Sequence, residues 1–286
     1  MIHSTTTLIS HKDICALAKL TILVYEYGVS ITPTNQHTIE DFVSDVVTGK
    51  VNKLENELRM DIIKDLSKSS PNGRVHKFFS NETCDLQCGI TISDNNKRIS
   101  VVFRGSESCY DWYYDLSIVK KQLHDDVYVH SGFHKQLHTE QIYEKISKEV
   151  TELLVKYSNY ELYITGHSLG AALATLYGYE ISREITNKVT VVSFASPRVG
   201  NTPFRREFDA RSNLIHYRVT NDRDMVTAAP NINYYHVGIV IALKENKYDV
   251  YYNYDYSWYK YSIFRCWSVY DHSIDLYYKR LISNTW

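Results

Sequence analysis

The 286-residue chain has only 5 prolines and 11 glycines, and no proline-rich linker, internal repeat or long run of one charge divides it. A clean domain boundary is therefore not marked. Its five cysteines (Cys15, Cys84, Cys88, Cys109 and Cys266) are an odd number spread thinly along the chain, which argues against a disulfide framework and for mostly reduced thiols. Charge of one sign is also missing: 32 basic against 33 acidic residues leave a net charge of -1. No global field then steers the protein toward nucleic acid or an anionic membrane, and any partner must be recognised locally. The longest apolar stretch, Ile14 to Tyr25, is interrupted by Lys19 and falls short of the roughly 20 residues a membrane-crossing helix needs. No transmembrane span is expected. The first residues lack the basic start, uninterrupted apolar centre and small-residue cleavage site of a secretory signal, so an intracellular location is the expectation.

What is present is enough apolar side chain for a core, at 44% of residues against 23% charged. Ser10 three residues before Asp13, followed by Ile14, Leu17, Ala18 and Ile22 and a stop at Gly28, predicts a capped amphipathic helix. From about Ile99 onward, strand-like and helix-like stretches alternate. Segments 98–104, 161–165, 189–194 and 214–219 predict strands, most of them rich in β-branched or aromatic residues. Phe133, Leu137, Ile146, Val150, Leu153, Leu154 and Tyr157 predict one long helix, and Leu169 to Glu184 another. Strands alternating with helices imply crossover connections, hence an α/β fold with a mainly parallel sheet covered by helices on both faces. At about 150 residues per domain the length would allow two. A single domain over 1–286 is nevertheless expected, with 1–98 a helical flank or cap and 99–286 the core. In such sheets the loops beyond the carboxyl ends of the strands gather the chemistry.

The sequence Gly166-His167-Ser168-Leu169-Gly170 lies between a predicted strand and a predicted helix, the setting that a G-x-S-x-G nucleophile elbow requires. A sharp strand-to-helix turn strains the serine backbone and is tolerable only if the residues two before and two after lack side chains. Ala171, Ala172 and Ala174 let the following helix approach the sheet, and its N-terminus aims free N–H groups at the serine. In a chain so poor in glycine the pattern is not a chance turn, and Ser168 is the candidate nucleophile. A serine alcohol needs a base and a carboxylate to orient that base. The α/β-hydrolase order of nucleophile, acid, histidine confines both to residues after Ser168. Asp222 and Asp224 compete for the acid, and His216, His236 and His272 for the base.

The chain resembles the class 3 lipases, α/β-hydrolases that include the fungal triacylglycerol lipases. The likeness rests on the segments at 101–108 and 129–133, the GHSLG elbow, 194–201, 221–230 and 235–238, in the family order from about Ile99 to Leu276. Residues 1–98 carry little that matches. The resemblance implies a serine hydrolase that cleaves carboxylic esters of lipids through an acyl-enzyme, without a cofactor. It assigns the acid to Asp224 through the pattern Asn221-x-x-Asp224-x-Val226, leaving Asp222 a solvated turn residue. Through the late Asp271-His272 pair it assigns the base to His272 over His236. The backbone N–H groups of Leu169 and Ser106 become the oxyanion hole, with the Ser106 hydroxyl able to help. Arg104 reads as a loop brace rather than a substrate clamp. Phospholipase A1, monoacylglycerol lipase and feruloyl-type esterase activities would share every one of these residues, since pocket walls decide among them. An inactive relative that binds lipid or a protein partner is the alternative of another class.

Three further features stay open. The aromatic stretch Ser108 to Ser117, with Trp112 and Tyr113, occupies the place of the family lid. It reads equally as a lid that opens at a lipid–water interface and touches acyl chains, or as a fixed loop packed on the core. Tyrosine reaches 25 residues and crowds between Lys247 and Tyr261. Alternation at Tyr252, Tyr254, Tyr256 and Trp258 suits a half-exposed aromatic strand, or an interfacial rim. His134 and His138 stand at helical i, i+4 spacing, but Lys135 occupies the place of the glutamate in H-E-x-x-H, and Cys84 and Cys88 lack a second pair. No metal is expected.

Overall fold

Ser10 begins the first helix as its sequence predicts. The Ser10 hydroxyl accepts from the Asp13 N–H at 3.1 Å and donates to the Asp13 carboxylate at 2.6 Å, which satisfies a donor that the first turn leaves unpaired. A computed structural model of the protein describes residues 8–30, 39–50, 57–68, 74–81, 83–106, 119–252, 268 and 270–286. Helices α1 (His11–Ser30), α2 (Ile39–Val47) and α3 (Glu57–Lys68) come first. Strands β1 (Arg74–Asn81), β2 (Leu86–Ser93) and β3 (Arg98–Phe103), the hairpin β4 (Lys120–His124) with β5 (Val127–His130), and helices α4 (Ser131–His138) and α5 (Ile142–Lys156) follow. The chain continues through β6 (Glu161–His167), α6 (Leu169–Glu184), β7 (Val189–Phe194), α7 (Thr202–Ala210), β8 (Leu214–Asn221), β9 (Ile239–Leu243), β10 (Tyr248–Tyr251) and α8 (Ile274–Ser283).

Eight strands form one sheet in the order β1-β2-β3-β6-β7-β8-β9-β10. The inner strands β3, β6, β7, β8 and β9 run parallel, and β1, β2 and β10 add antiparallel edges. The strands at the centre alternate between two cores because successive side chains point to opposite faces. Val101, Phe103, Ile164 and Val191 pack on one side with Phe133, Ile146, Leu173 and Leu176. Val102, Val192, Phe194 and Val219 pack on the other with Ile14, Leu17, Phe42 and Tyr277. Helices thus cover both faces, as the alternation of elements implies. Arg59 of α3 donates through Nε to Asp275 of α8 at 2.8 Å and pairs with Glu26 of α1, which ties the three helices of the second face together.

Two expectations need correction. Residues 1–98 are helical only in α1 to α3; residues 74–81 and 86–93 are strands that extend the sheet. Residues 86–93 are buried at all but one position, because β2 lies between β1 and β3 and pairs on both sides. The long helix expected from Phe133 to Tyr157 is two helices. Glu140 and Gln141 adopt left-handed backbone conformations, with φ of 53° and 59°. The Glu140 carboxylate accepts from Asn81 Nδ2 at 3.2 Å and Thr83 Oγ1 at 2.8 Å, so the turn after β1 fixes the bend. Cys15, Cys84 and Cys88 are free thiols, and burial pushes the Cys15 thiol up to about 11. Among the described residues no helix is long and apolar enough to cross a membrane. The lid segment with Trp112 and Tyr113, Cys109, Cys266 and the aromatic alternation from Tyr254 to Trp258 lie outside the described residues.

The fold carries a pH liability at His216 of β8. Its imidazole is fully buried, 2.7 Å from Ser193 Oγ, and burial, aided by Arg218, pushes its pKa down to about 3. The unfolded chain takes up the proton near pH 6.5, so stability is complete above that pH and is lost as pH falls toward 3. Between pH 7.5 and 5.5 this group alone is expected to lower the unfolding free energy by about 1.4 kcal/mol. Urea unfolding at the two pH values measures the drop; equal midpoints would show that the histidine titrates normally in the fold.

Candidate active site

The nucleophile elbow follows from two close backbone approaches. Ser168 sits between β6 and α6 with φ 57° and ψ -123°, a conformation that costs free energy unless its surroundings enforce it. A Cβ at residue 166 would lie 2.4 Å from the Gly170 carbonyl oxygen, and one at residue 170 would lie 2.4 Å from the Phe103 carbonyl oxygen. Only glycine fits either place. The Ser168 N–H donates to the Phe194 carbonyl at 3.0 Å, which holds the turn against β7.

Ser168, His272 and Asp224 come together beyond the carboxyl ends of the strands. The Ser168 hydroxyl lies 2.8 Å from His272 Nε2. His272 Nδ1 lies 2.9 and 3.0 Å from the two carboxylate oxygens of Asp224. All three residues are buried, Asp224 completely. A carboxylate can only accept, so Nδ1 carries the proton and Nε2 presents its lone pair to the serine. In that tautomer His272 can take the hydroxyl proton as Oγ attacks a carbonyl carbon, and the neighbouring carboxylate stabilises the imidazolium that results. Asp222 is only partly buried, and it is Asp224 that meets the imidazole. The competing histidines are engaged elsewhere: His216 with Ser193, and His236 donating through Nε2 to the Thr227 carbonyl at 2.7 Å. Burial keeps both His216 and His236 well below the ordinary histidine range.

Leu169 opens α6, where its N–H has no acceptor within the helix. Ser106 follows β3, the parallel neighbour of β6, and is half-buried. Both candidate oxyanion donors therefore flank the elbow. Arg104 pairs with Asp85 at 2.7 Å, in keeping with a brace between loops.

Three positioning side chains, Tyr277, His167 and Tyr25, were not legible as such in the sequence. Tyr277 of α8 donates to Asp224 Oδ2 at 2.6 Å and accepts from the Asn221 N–H at 2.9 Å. Burial, then the Asp224 charge, holds this phenol well above its ordinary pKa, so it remains a donor. The Val226 N–H supplies Asp224 with a further bond at 2.9 Å. His167, inside the elbow motif, is kept neutral by burial. Its Nε2 donates to the His272 carbonyl at 2.7 Å and its Nδ1 accepts from Tyr25 of α1 at 3.1 Å. The signals were weak ones: Tyr277 stands five residues past His272, and Tyr25 lies in the segment without family landmarks. Tyr277→Phe removes a bond to a charged acceptor worth about 1.5–3 kcal/mol. It is expected to lower kcat about 10- to 100-fold with KM nearly unchanged. A raised KM at constant kcat would place Tyr277 outside this role.

A parallel sheet, a strained serine at a strand-to-helix elbow and a histidine and aspartate supplied from later loops define an α/β-hydrolase. The class 3 lipase model matches residues 100–234, and over that span the chain is similar to that family. It is 32% identical over 164 residues to secreted mono- and diacylglycerol lipase A of Penicillium cyclopium, covering 56% of this chain and 52% of that one. It is 33% identical over 180 residues to phospholipase A1-II 3 of Oryza sativa subsp. japonica, covering 52% and 43%. The chain thus spans about half the length of these curated relatives. The lipase of Rhizopus microsporus var. chinensis superposes with a TM-score of 0.63 at 26% identity, over 86% of this chain and 78% of that one.

Proposed function

We propose that the protein is a serine hydrolase that cleaves carboxylic esters of lipids through an acyl-enzyme. The reading rests on one observation: a hydroxyl, an imidazole and a carboxylate joined in sequence by contacts of 2.8 to 3.0 Å on a strained elbow. Ser168 attacks the ester carbonyl and its proton passes to His272 Nε2. The tetrahedral oxyanion is received by the N–H groups of Leu169 and Ser106, each such donor being worth about 2.7–4 kcal/mol of barrier. Collapse expels the alcohol, protonated by His272. Water, deprotonated by the same imidazole, then attacks the acyl-serine, and its collapse regenerates the hydroxyl.

The resemblance puts acylglycerols first among substrates. The rice phospholipase A1 relative favours a second reading, release of the sn-1 acyl chain of a phospholipid. Hydrolysis of triacylglycerol, monoacylglycerol and phosphatidylcholine at equal acyl length, each with and without an emulsion interface, separates the two. Acylglycerol turnover that rises with interface and exceeds phospholipid turnover supports the first reading. Preferred release from the phospholipid sn-1 position supports the second. Turnover of none of these, nor of a soluble short-chain ester, overturns both.

A further inference from the structure

The structure supplies a ligand that the sequence withheld. His134 and His138 share one face of α4 at i, i+4 spacing, with rings 4.3 Å apart and nearly parallel. The missing acid arrives from α6, which packs against α4: Glu180 Oε2 lies 2.9 Å from His138 Nε2. One donor atom from each of His134, His138 and Glu180 falls within 4.8 Å of the others. We propose that these three residues form a divalent-cation site, fitted to zinc, on the flank of the fold away from the nucleophile.

The chemistry of the donor set selects the ion. Two imidazoles and one carboxylate are a common three-residue ligand set for zinc, with water completing a tetrahedron. At metal–ligand lengths of about 2.0–2.2 Å, tetrahedral donors stand about 3.4 Å apart. The three donors already lie within 4.8 Å of one another, on the scale that value requires. Hard cations such as magnesium and calcium seek oxygen donors and are poorly served here. One polar atom at the site supports a ligand: Glu180 Oε1 is buried without a hydrogen-bond partner among the described residues, while Oε2 of the same carboxylate faces His138 Nε2. Leaving such a group unpaired costs about 1–3 kcal/mol. The residues themselves are half-buried, so an ion can enter from solvent. Lys121 of β4 bears on His134, but it is exposed and its flexible stem can carry the ammonium into water. Glu180 is twelve residues beyond Ser168 along one helix, about 18 Å at 1.5 Å per residue. The ion would therefore join α4 to α6 without touching the catalytic hydroxyl.

Isothermal titration of metal-free protein with zinc, and cobalt absorption in the visible as a second readout of four-coordination, test the site without an activity assay. Wild type is expected to bind one zinc saturably. His134→Gln and Glu180→Gln, each checked for folding by circular dichroism, are expected to weaken binding at least about 100-fold. His272→Ala is expected to keep it. If either of the first two variants is unfolded, the other decides. Absence of saturable binding by wild type, unchanged affinity in the folded ligand variants, or loss of binding in His272→Ala would overturn the proposal.

Discussion

His272→Ala is expected to lower kcat about a million-fold with little change in KM, as is Ser168→Ala, and the double variant should be no worse than either single one. The two residues act as a unit. Without the imidazole at 2.8 Å the hydroxyl keeps its proton at neutral pH. Without the hydroxyl the imidazole has nothing to activate. Neither His216 nor His236 can substitute, because Ser193 and the Thr227 carbonyl hold them and burial keeps them as neutral core groups. The residual rate reports the oxyanion donors and substrate binding alone. Near-normal turnover in His272→Ala would move the base elsewhere; steady-state kinetics on a soluble ester with each purified variant decides.

Asp224→Asn is the second large effect, with an expected fall in kcat of about ten-thousand-fold. The substitution keeps the volume of the side chain but changes what its two terminal atoms can do. Asp224 accepts from His272 Nδ1, from Tyr277 and from the Val226 N–H. An amide must place an NH2 among those donors. Turned toward His272, it reverses the tautomer, so that Nε2 carries a proton and has no lone pair for the serine. The negative charge that stabilises the imidazolium is lost as well. Asp224→Asn is expected to recover activity as pH rises, because hydroxide then competes as base, whereas Tyr277→Phe is not. A fall of less than about tenfold in Asp224→Asn would mean that the carboxylate only packs. Activity on a soluble ester across pH 6 to 10, with far-UV circular dichroism of the same samples, separates that outcome from misfolding.

The parts of the fold that were legible carry strong local signals. Segments 98–103, 161–167, 189–194 and 214–221 are strands because β-branched runs bounded by turns leave few alternatives. The elbow was legible because it needs two glycines at fixed offsets, in a chain that holds only 11. Other parts depend on long-range contacts that no local pattern encodes. The break after α4 is enforced by Asn81 and Thr83, which lie more than fifty residues earlier. A trace remains in the spacing, since the buried positions slip from Leu137 to Ile142, five residues instead of three or four. Choosing among three histidines and two aspartates required the family resemblance, because each sits in a plausible strand or turn. The supports were out of reach for the same reason. Tyr25, His167 and the His272 carbonyl form a chain that spans nearly the whole sequence, and only the folded arrangement makes them neighbours.

Reaction of the native protein with a fluorophosphonate probe, followed by mass-spectrometric mapping of the modified residue, tests the account most directly. A single adduct at Ser168 is expected, absent from Ser168→Ala and formed far more slowly in His272→Ala, both confirmed folded. Modification of a different serine, or unchanged labelling kinetics after removal of the imidazole, would contradict it.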